Sequence, residues 1–245
     1  MPKEFFLSDK SQKLSYFKSI VDSAGMRNQE QRCVIFGKKT IMEAIKIESV
    51  IVTEESKSDV EIEAFDKYII SNKAFKKLSH LVTPEPYAAI CRIDPCSFPK
   101  TIHKGLLVLD SINDPGNMGT IFRTAYGMGL DGLIILKPSC DPYHEKVLRA
   151  SKACSLKMPW VYTERETLET FLESLNTSIF VADLDGQSIR KIQNTKPFAL
   201  ILGNESQGVS PSLKTLGTRV HIPQNHLESY NVAIAQAILT YALLP

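Results

Sequence analysis

Three stretches of this chain set a polar or charged residue beside glycine or at the start of an apolar helix, and each suits a particular chemistry. In DPGNMGTIFRTAYGMG, residues 114–129, Arg123 interrupts an apolar helical pattern behind a glycine-rich turn. Met118, Ile121, Phe122, Ala125 and Met128 recur at spacings of three and four, the period of a buried helical stripe. Arg123 lies opposite that stripe and near the carboxyl end of a strand, where open α/β sheets hold ligands. Taken alone, the position suits a solvated cation as well as a ligand contact, because neither G-x-G-x-x-G nor a P-loop Lys-Ser/Thr pair accompanies it. In FALILGNESQGVS, residues 198–210, a buried strand runs into Gly203, Asn204 and Glu205, with Gly208 just beyond. That fits either close backbone approach to a ligand or a turn carrying a solvated glutamate. In HIPQNHLESYNVAIAQAILTYALL, residues 221–244, Ser229 is expected to cap a helix that is apolar nearly all round, with Gln236 and Thr240 as its polar interruptions. Such a helix must be covered, by the core or by a second subunit.

These residues need a scaffold, and its type is legible. From residue 105 onward, GLLVLD, DGLIIL, SIFVADLD, FALILG and RVHIP alternate with helical patterns, which predicts a mostly parallel sheet covered on both faces. Asn117 is expected to cap the helix behind the first of these strands. The first hundred residues carry a smaller alternation: a helix over SQKLSYFKSIVDSAG, strands at RCVIF, SVIVTE, KYIIS and YAAICRI, and helices at TIMEAIK and NKAFKKLSHL. Between the two halves, DPCSFPKTIHK has two prolines and no periodicity. The expected division is a small α/β domain over 1–95, a linker over 96–104 and a larger domain over 105–245.

A 245-residue chain with 43% hydrophobic residues can build a substantial core, and a net charge of +2 makes any nucleic-acid surface local rather than global. Five cysteines without a C-x-x-C pair or zinc-site spacing predict reduced thiols and no metal. The apolar runs are far shorter than a bilayer requires, so no membrane association and a cytoplasmic location are expected.

The ordered set N-x-G-x-x-x-R-T, L-G-N-E-x-x-G-V-S and I-P…E-S-x-N-V-A-x-A closely resembles the three motifs of the TrmH/SpoU family of RNA ribose 2′-O-methyltransferases, within the SPOUT superfamily. EKVLRASKACSLKMPW, residues 145–160, resembles the segment between the first two. The resemblance implies an α/β trefoil-knot catalytic domain, S-adenosylmethionine as methyl donor, and a homodimer formed through the knotted domain. It further implies that Asn117, Arg123, Glu205, Ser229 and Asn231 form the active site. Leu202, Gly203, Asn204, Ile222, Gln224, Ser229 and Tyr230 would line the donor pocket. More loosely, residues 1–95 resemble the family's small α/β RNA-binding module of ribosomal-protein type, in which Arg27, Arg32, Lys38 and Lys39, with Arg149 further along, would contact phosphates. Ribosomal RNA, 23S foremost, or transfer RNA is the implied substrate. The third motif departs from the usual I-P-M-x-G…S-L-N-V by lacking its glycine and carrying Tyr230. The alternative it motivates is a catalytically inactive RNA-binding paralogue of the same fold.

Overall fold

A computed structural model describes residues 3–57, 66–94, 97–175, 177–226 and 228–245. In chain order the elements are β1 (Lys3–Phe6), α1 (Gln12–Asp22), α2 (Ala24–Glu30), β2 (Arg32–Phe36), α3 (Lys38–Glu43), β3 (Ile47–Thr53), β4 (Asp66–Ile70), α4 (Asn72–Leu78) and β5 (Tyr87–Arg92). There follow β6 (Gly105–Asp110), α5 (Pro115–Met128), β7 (Gly132–Leu136), α6 (Glu145–Ala150), α7 (Cys154–Lys157), β8 (Trp160–Thr163) and α8 (Arg165–Glu173). The last are β9 (Ser178–Ser188), a 3-10 turn (Ile189–Lys191), β10 (Phe198–Leu202), α9 (Pro211–Lys214), β11 (Thr218–His221) and α10 (Val232–Leu243). By contacts the chain divides into two compact units, Met1–Pro95 with Asp141–Lys157, and Cys96–Cys140 with Met158–Pro245. Segment 141–157, which joins β7 to β8 in sequence, therefore packs with the first unit. Cys96, the first residue of the expected linker, lies outside the described residues.

The first unit holds a mixed five-stranded sheet in the order β1-β4-β3-β5-β2, with β1, β4 and β3 parallel and β5 antiparallel to both β3 and β2. Leu14, Phe17, Ile20 and Val21 of α1 pack with Ala74, Phe75 and Leu78 of α4 against Val34, Ile51, Ile70 and Ile90. The expected first helix is two: α1 ends at Asp22, and Ser23 closes it while accepting from the Met26 N–H to start α2. Strand β1 carries no sequence signal, since all four residues are exposed and no alternation exists to read. Cys33 and Cys91 sit opposite each other on β2 and β5. Burial pushes both thiols up, Cys91 to about 12, so they stay protonated.

Arg27 corrects an expectation. It is 3% exposed, donates to the Ile20 and Val21 carbonyls at 2.8 Å, and grips Asp141 through Nε (2.7 Å) and Nη2 (2.6 Å). Its guanidinium is fully employed inside the fold and presents nothing to RNA. Nearby, buried Glu145 accepts from the Ser79 hydroxyl and from the His80 N–H at 2.9 Å, so both ends of the α6 approach are anchored by charge.

The second unit is a six-stranded, wholly parallel sheet in the order β11-β9-β10-β6-β7-β8. Strands β6, β7 and β10 are buried at every position, as their continuous apolar runs require. Phe98 and Ile102 pack against this unit's core, and Phe98 stacks on Phe171 with centroids 4.4 Å apart. Among the described residues, no helix is long and apolar enough to cross a membrane.

Candidate functional site

The middle of β9 and the carboxyl ends of β10 and β11 open onto one cavity of about 470 Å³. Its largest contributor is the loop after β10, where Leu202, Gly203, Asn204 and Glu205 line the wall together with Gly208 and Val209. That loop is closed tightly: a side chain on Gly203 would meet the Gly208 backbone at 2.1 Å, and Gly208 itself takes a φ of +69°. Asn204 serves the loop, accepting from the Ser206 N–H (2.8 Å) and donating to the Ser111 carbonyl (3.0 Å). Buried Asp110, at the end of β6, fastens the far side by accepting from the Ser210 amide (2.9 Å) and hydroxyl.

A second wall comes from β9. Its pairing with β11 jumps from Val181 to Gln187 while β11 advances one residue, from Arg219 to Val220, so residues 182–186 arch out of register. Ala182, Asp183, Leu184 and Asp185 of that arch line the cavity. Asp183 is 5% exposed and lies 3.2 Å from both Lys214 and Arg219. Burial pushes its carboxyl up, but hydrogen bonds from Lys214, the Asp185 amide and Arg219 outweigh this and hold it below the ordinary carboxylate range. The third wall is the passage before α10, contributing Ile222, Gln224, Glu228, Ser229 and Tyr230. Gln224 donates to the Glu228 carbonyl at 2.8 Å, which fastens this passage where the third motif departs from its usual form.

All the residues expected to hold a donor therefore line one cavity. The expected catalytic residues are arranged differently. Asn231 donates to Asn117 at 2.9 Å, and Asn117 donates in turn to Glu205, so one hydrogen-bonded chain joins α10, α5 and the cavity loop. Two capping expectations are corrected by it. Asp114 caps α5, accepting from the Asn117 amide at 2.7 Å with Pro115 in the first turn, which frees the Asn117 side chain for Glu205. Asn231 caps α10, accepting from the Ala233 and Ile234 amides, and Ser229 only lines the cavity. Arg123 is exposed on the outer face of α5 and has no hydrogen bond or ion pair among the described residues. Among the described residues no cluster of three or more His, Cys, Asp or Glu is set to hold a metal ion.

The reading of the sequence missed Asp183, Lys214 and the arch. The signal was present, since SIFVADLDG ends in an acid beside glycine just as FALILGNE does.

Residues 104–241 match the model of the SpoU rRNA methylase family. The chain belongs to that family. Among SpoU relatives, it is 30% identical over 247 residues to the 23S rRNA (guanosine(2553)-2′-O)-methyltransferase RlmP of Bacillus subtilis, covering 96% of this chain and 97% of that one. Among solved structures, a TrmH-family protein from Porphyromonas gingivalis superposes with a TM-score of 0.82 at 28% identity, covering 96% and 98% of the two chains. An AdoMet-bound rRNA methyltransferase from Sinorhizobium meliloti shares the fold at a TM-score of 0.83 and 21% identity, over 98% and 97%. The likeness to the Porphyromonas gingivalis structure thus takes in residues of both units, whereas the SpoU family match lies at 104–241.

Proposed function

We propose that this SpoU protein is an S-adenosylmethionine-dependent RNA ribose 2′-O-methyltransferase, with ribosomal RNA, 23S foremost, as its substrate. The observation that carries the reading is the Asn231–Asn117–Glu205 chain, which links all three motif segments at the wall of one ligand-sized cavity. About 470 Å³ lies within the ~300–1,000 Å³ common for small-molecule sites. Leu202, Val209, Ile222 and Leu239 offer apolar wall to a purine, while Asp183, Asp185, Glu205 and Glu228 suit a ligand with two positive centres. When bound, the donor supplies an electrophilic methyl group together with its own leaving group.

What remains for the chain is positioning and charge. Glu205 and Asn117, locked to each other and to the α10 cap, orient the acceptor ribose. The planar, forked guanidinium suits a phosphate, so Arg123 is assigned to binding and charge and not to proton abstraction. It holds the phosphate beside the target ribose and favours the developing alkoxide, and the hydroxyl proton passes to water. RNA affinity comes from the amino-terminal module. Lys39 and Arg149 serve there, joined by Lys73, Lys76 and Lys77 of α4, all exposed and unpaired among the described residues. Arg32 is committed to Glu48 at 2.5 Å and contributes less. The carboxyl-terminal passage is knotted, as in the family. The protein works as a homodimer, with Ile234, Ile238 and Tyr241 of α10, exposed by 50%, 38% and 76% at helical spacing, covered by the second copy.

The test incubates the protein with isotope-labelled S-adenosylmethionine and unmodified ribosomal RNA, followed by digestion and nucleoside mass spectrometry. A labelled 2′-O-methylnucleoside is expected. Label on a base instead of a ribose, or no label from a folded dimer, overturns the reading.

A further inference from the structure

Charge is distributed unevenly around the cavity. Among the described residues four carboxylates line it, Asp183, Asp185, Glu205 and Glu228, against a single lysine or arginine, Lys214. Lys214 ends α9 and pairs with Asp183 at 3.2 Å, but Asp183 has a second cation, Arg219, at the same distance. Two cations share the Asp183 carboxylate, so positive charge in the described wall is gathered at this corner. Asp183 is 5% exposed and Lys214 31%, so the acid is committed to the wall while the ammonium keeps a face open to a ligand. Everywhere else the described wall carries negative or neutral groups.

S-adenosylmethionine has one anionic group, the α-carboxylate, and two cationic ones, the sulfonium and the α-ammonium. Like charges brought together in a partly desolvated cavity repel strongly, so the carboxylate is excluded from the acidic walls and has one favourable place to go. Resting on the donor reading above, we propose that Lys214, positioned by Asp183, receives the donor's α-carboxylate and thereby fixes which way round the donor lies. Asp183 lies in the out-of-register arch of β9, and β9 flanks β10 on the side opposite β6, the strand that leads to Asn117. The amino-acid end of the donor then occupies the β9 side of the cavity, away from the Asn117–Asn231 pair that faces the acceptor. Lys214 is a specificity residue: it selects ligands that carry the amino-acid end, and Asp183 is its positioning residue.

Calorimetry on the full-length protein tests this with two probes, S-adenosylhomocysteine, which keeps the amino-acid end, and 5′-methylthioadenosine, which lacks it. Lys214→Met is expected to weaken S-adenosylhomocysteine about tenfold, the lower range for a charge-assisted hydrogen bond at a partly exposed site. It should leave 5′-methylthioadenosine within about twofold, and Lys214→Arg should restore most of the loss. Equal weakening of both probes means that Lys214 shapes the cavity instead of reading the carboxylate, and no weakening of either means it reads nothing; each overturns the proposal while leaving the donor reading intact. If wild-type protein, folded by circular dichroism, binds neither probe, the donor reading itself falls and takes this proposal with it.

Discussion

Arg27 and Arg123 make an instructive pair, because the resemblance assigned both to RNA, Arg123 at the active site and Arg27, more loosely, as a phosphate contact. In the first unit two charges are spent inward: Arg27 is enclosed by two carbonyls and Asp141, and Glu145 is buried against Ser79 and His80. In the second unit Arg123 is left exposed and unpaired among the described residues. A charge whose hydrogen bonds are all made by the fold is structural, and one the fold leaves unsatisfied is available to a ligand.

Exchanging the two roles is the sharpest way to break that contrast. Arg123→Ala should lower the methylation rate by at least ~100-fold while changing unfolding free energy by less than ~0.5 kcal/mol. Arg27→Ala should do the reverse, costing about 3 kcal/mol by stranding Asp141, with residual activity in whatever fraction stays folded. Urea unfolding alongside single-turnover methylation separates the outcomes, and a large stability loss in Arg123→Ala would erase the distinction. A change that strains the cavity directly comes next. Gly203→Ala drives a methyl group into the Gly208 backbone, so a stability loss of about 1–3 kcal/mol and weakened donor binding are expected together. Unchanged thermal stability would mean the loop is looser than its geometry implies.

Smaller effects sharpen the comparison at the surface. Ile238→Glu adds a charge to the exposed α10 stripe, so sedimentation should report monomers in place of dimers, with the monomer still folded. A wild-type protein already monomeric at the same concentration would remove the reason for the stripe. The mildest prediction concerns His144, the N-cap of α6, whose Nδ1 accepts from the Lys146 amide at 3.2 Å. Burial, aided by the positive charge of Arg27, holds its pKa below 6.5, so the unfolded chain takes up a proton before the folded one does. Stability should therefore fall as pH drops below about 6.5, and His144→Asn, which caps without titrating, should flatten that part of the curve. A slope unchanged in His144→Asn would assign the pH dependence to another group.

How much was legible differs by element. The continuous apolar runs at β6, β7 and β10 announced a doubly covered sheet, and Glu205 and the residues expected to hold a donor share one cavity wall because their motifs lie in contiguous stretches. The caps were misread because Asn117 and Ser229 have the right chemistry, and only the neighbours, Pro115 after Asp114 and the start of α10 at Val232, decide which residue caps. The last helix is the clearest inversion. Gln236 and Thr240, its polar interruptions, are fully buried and hydrogen-bonded to each other at 2.9 Å, while apolar Ile234, Ile238 and Tyr241 are exposed. A polar pair spaced by four can turn its donor onto its own acceptor, as Gln236 Nε2 does to the Thr240 hydroxyl while Gln236 Oε1 stays without a partner among the described residues, so hydropathy alone misassigns the face.

The sequence by itself determined the class of fold, the family and the three segments that meet at the site, because periodicity and motif spacing are properties of a local stretch. Only the tertiary structure decided that Asn231 reaches Asn117, that the β9 arch brings Asp183 and Lys214 into the cavity wall, and that Arg27 is consumed by Asp141. Those outcomes depend on strand order and on pairings between residues up to 114 positions apart, and burial and hydrogen-bond satisfaction are settled only when distant stretches compete for the same partners.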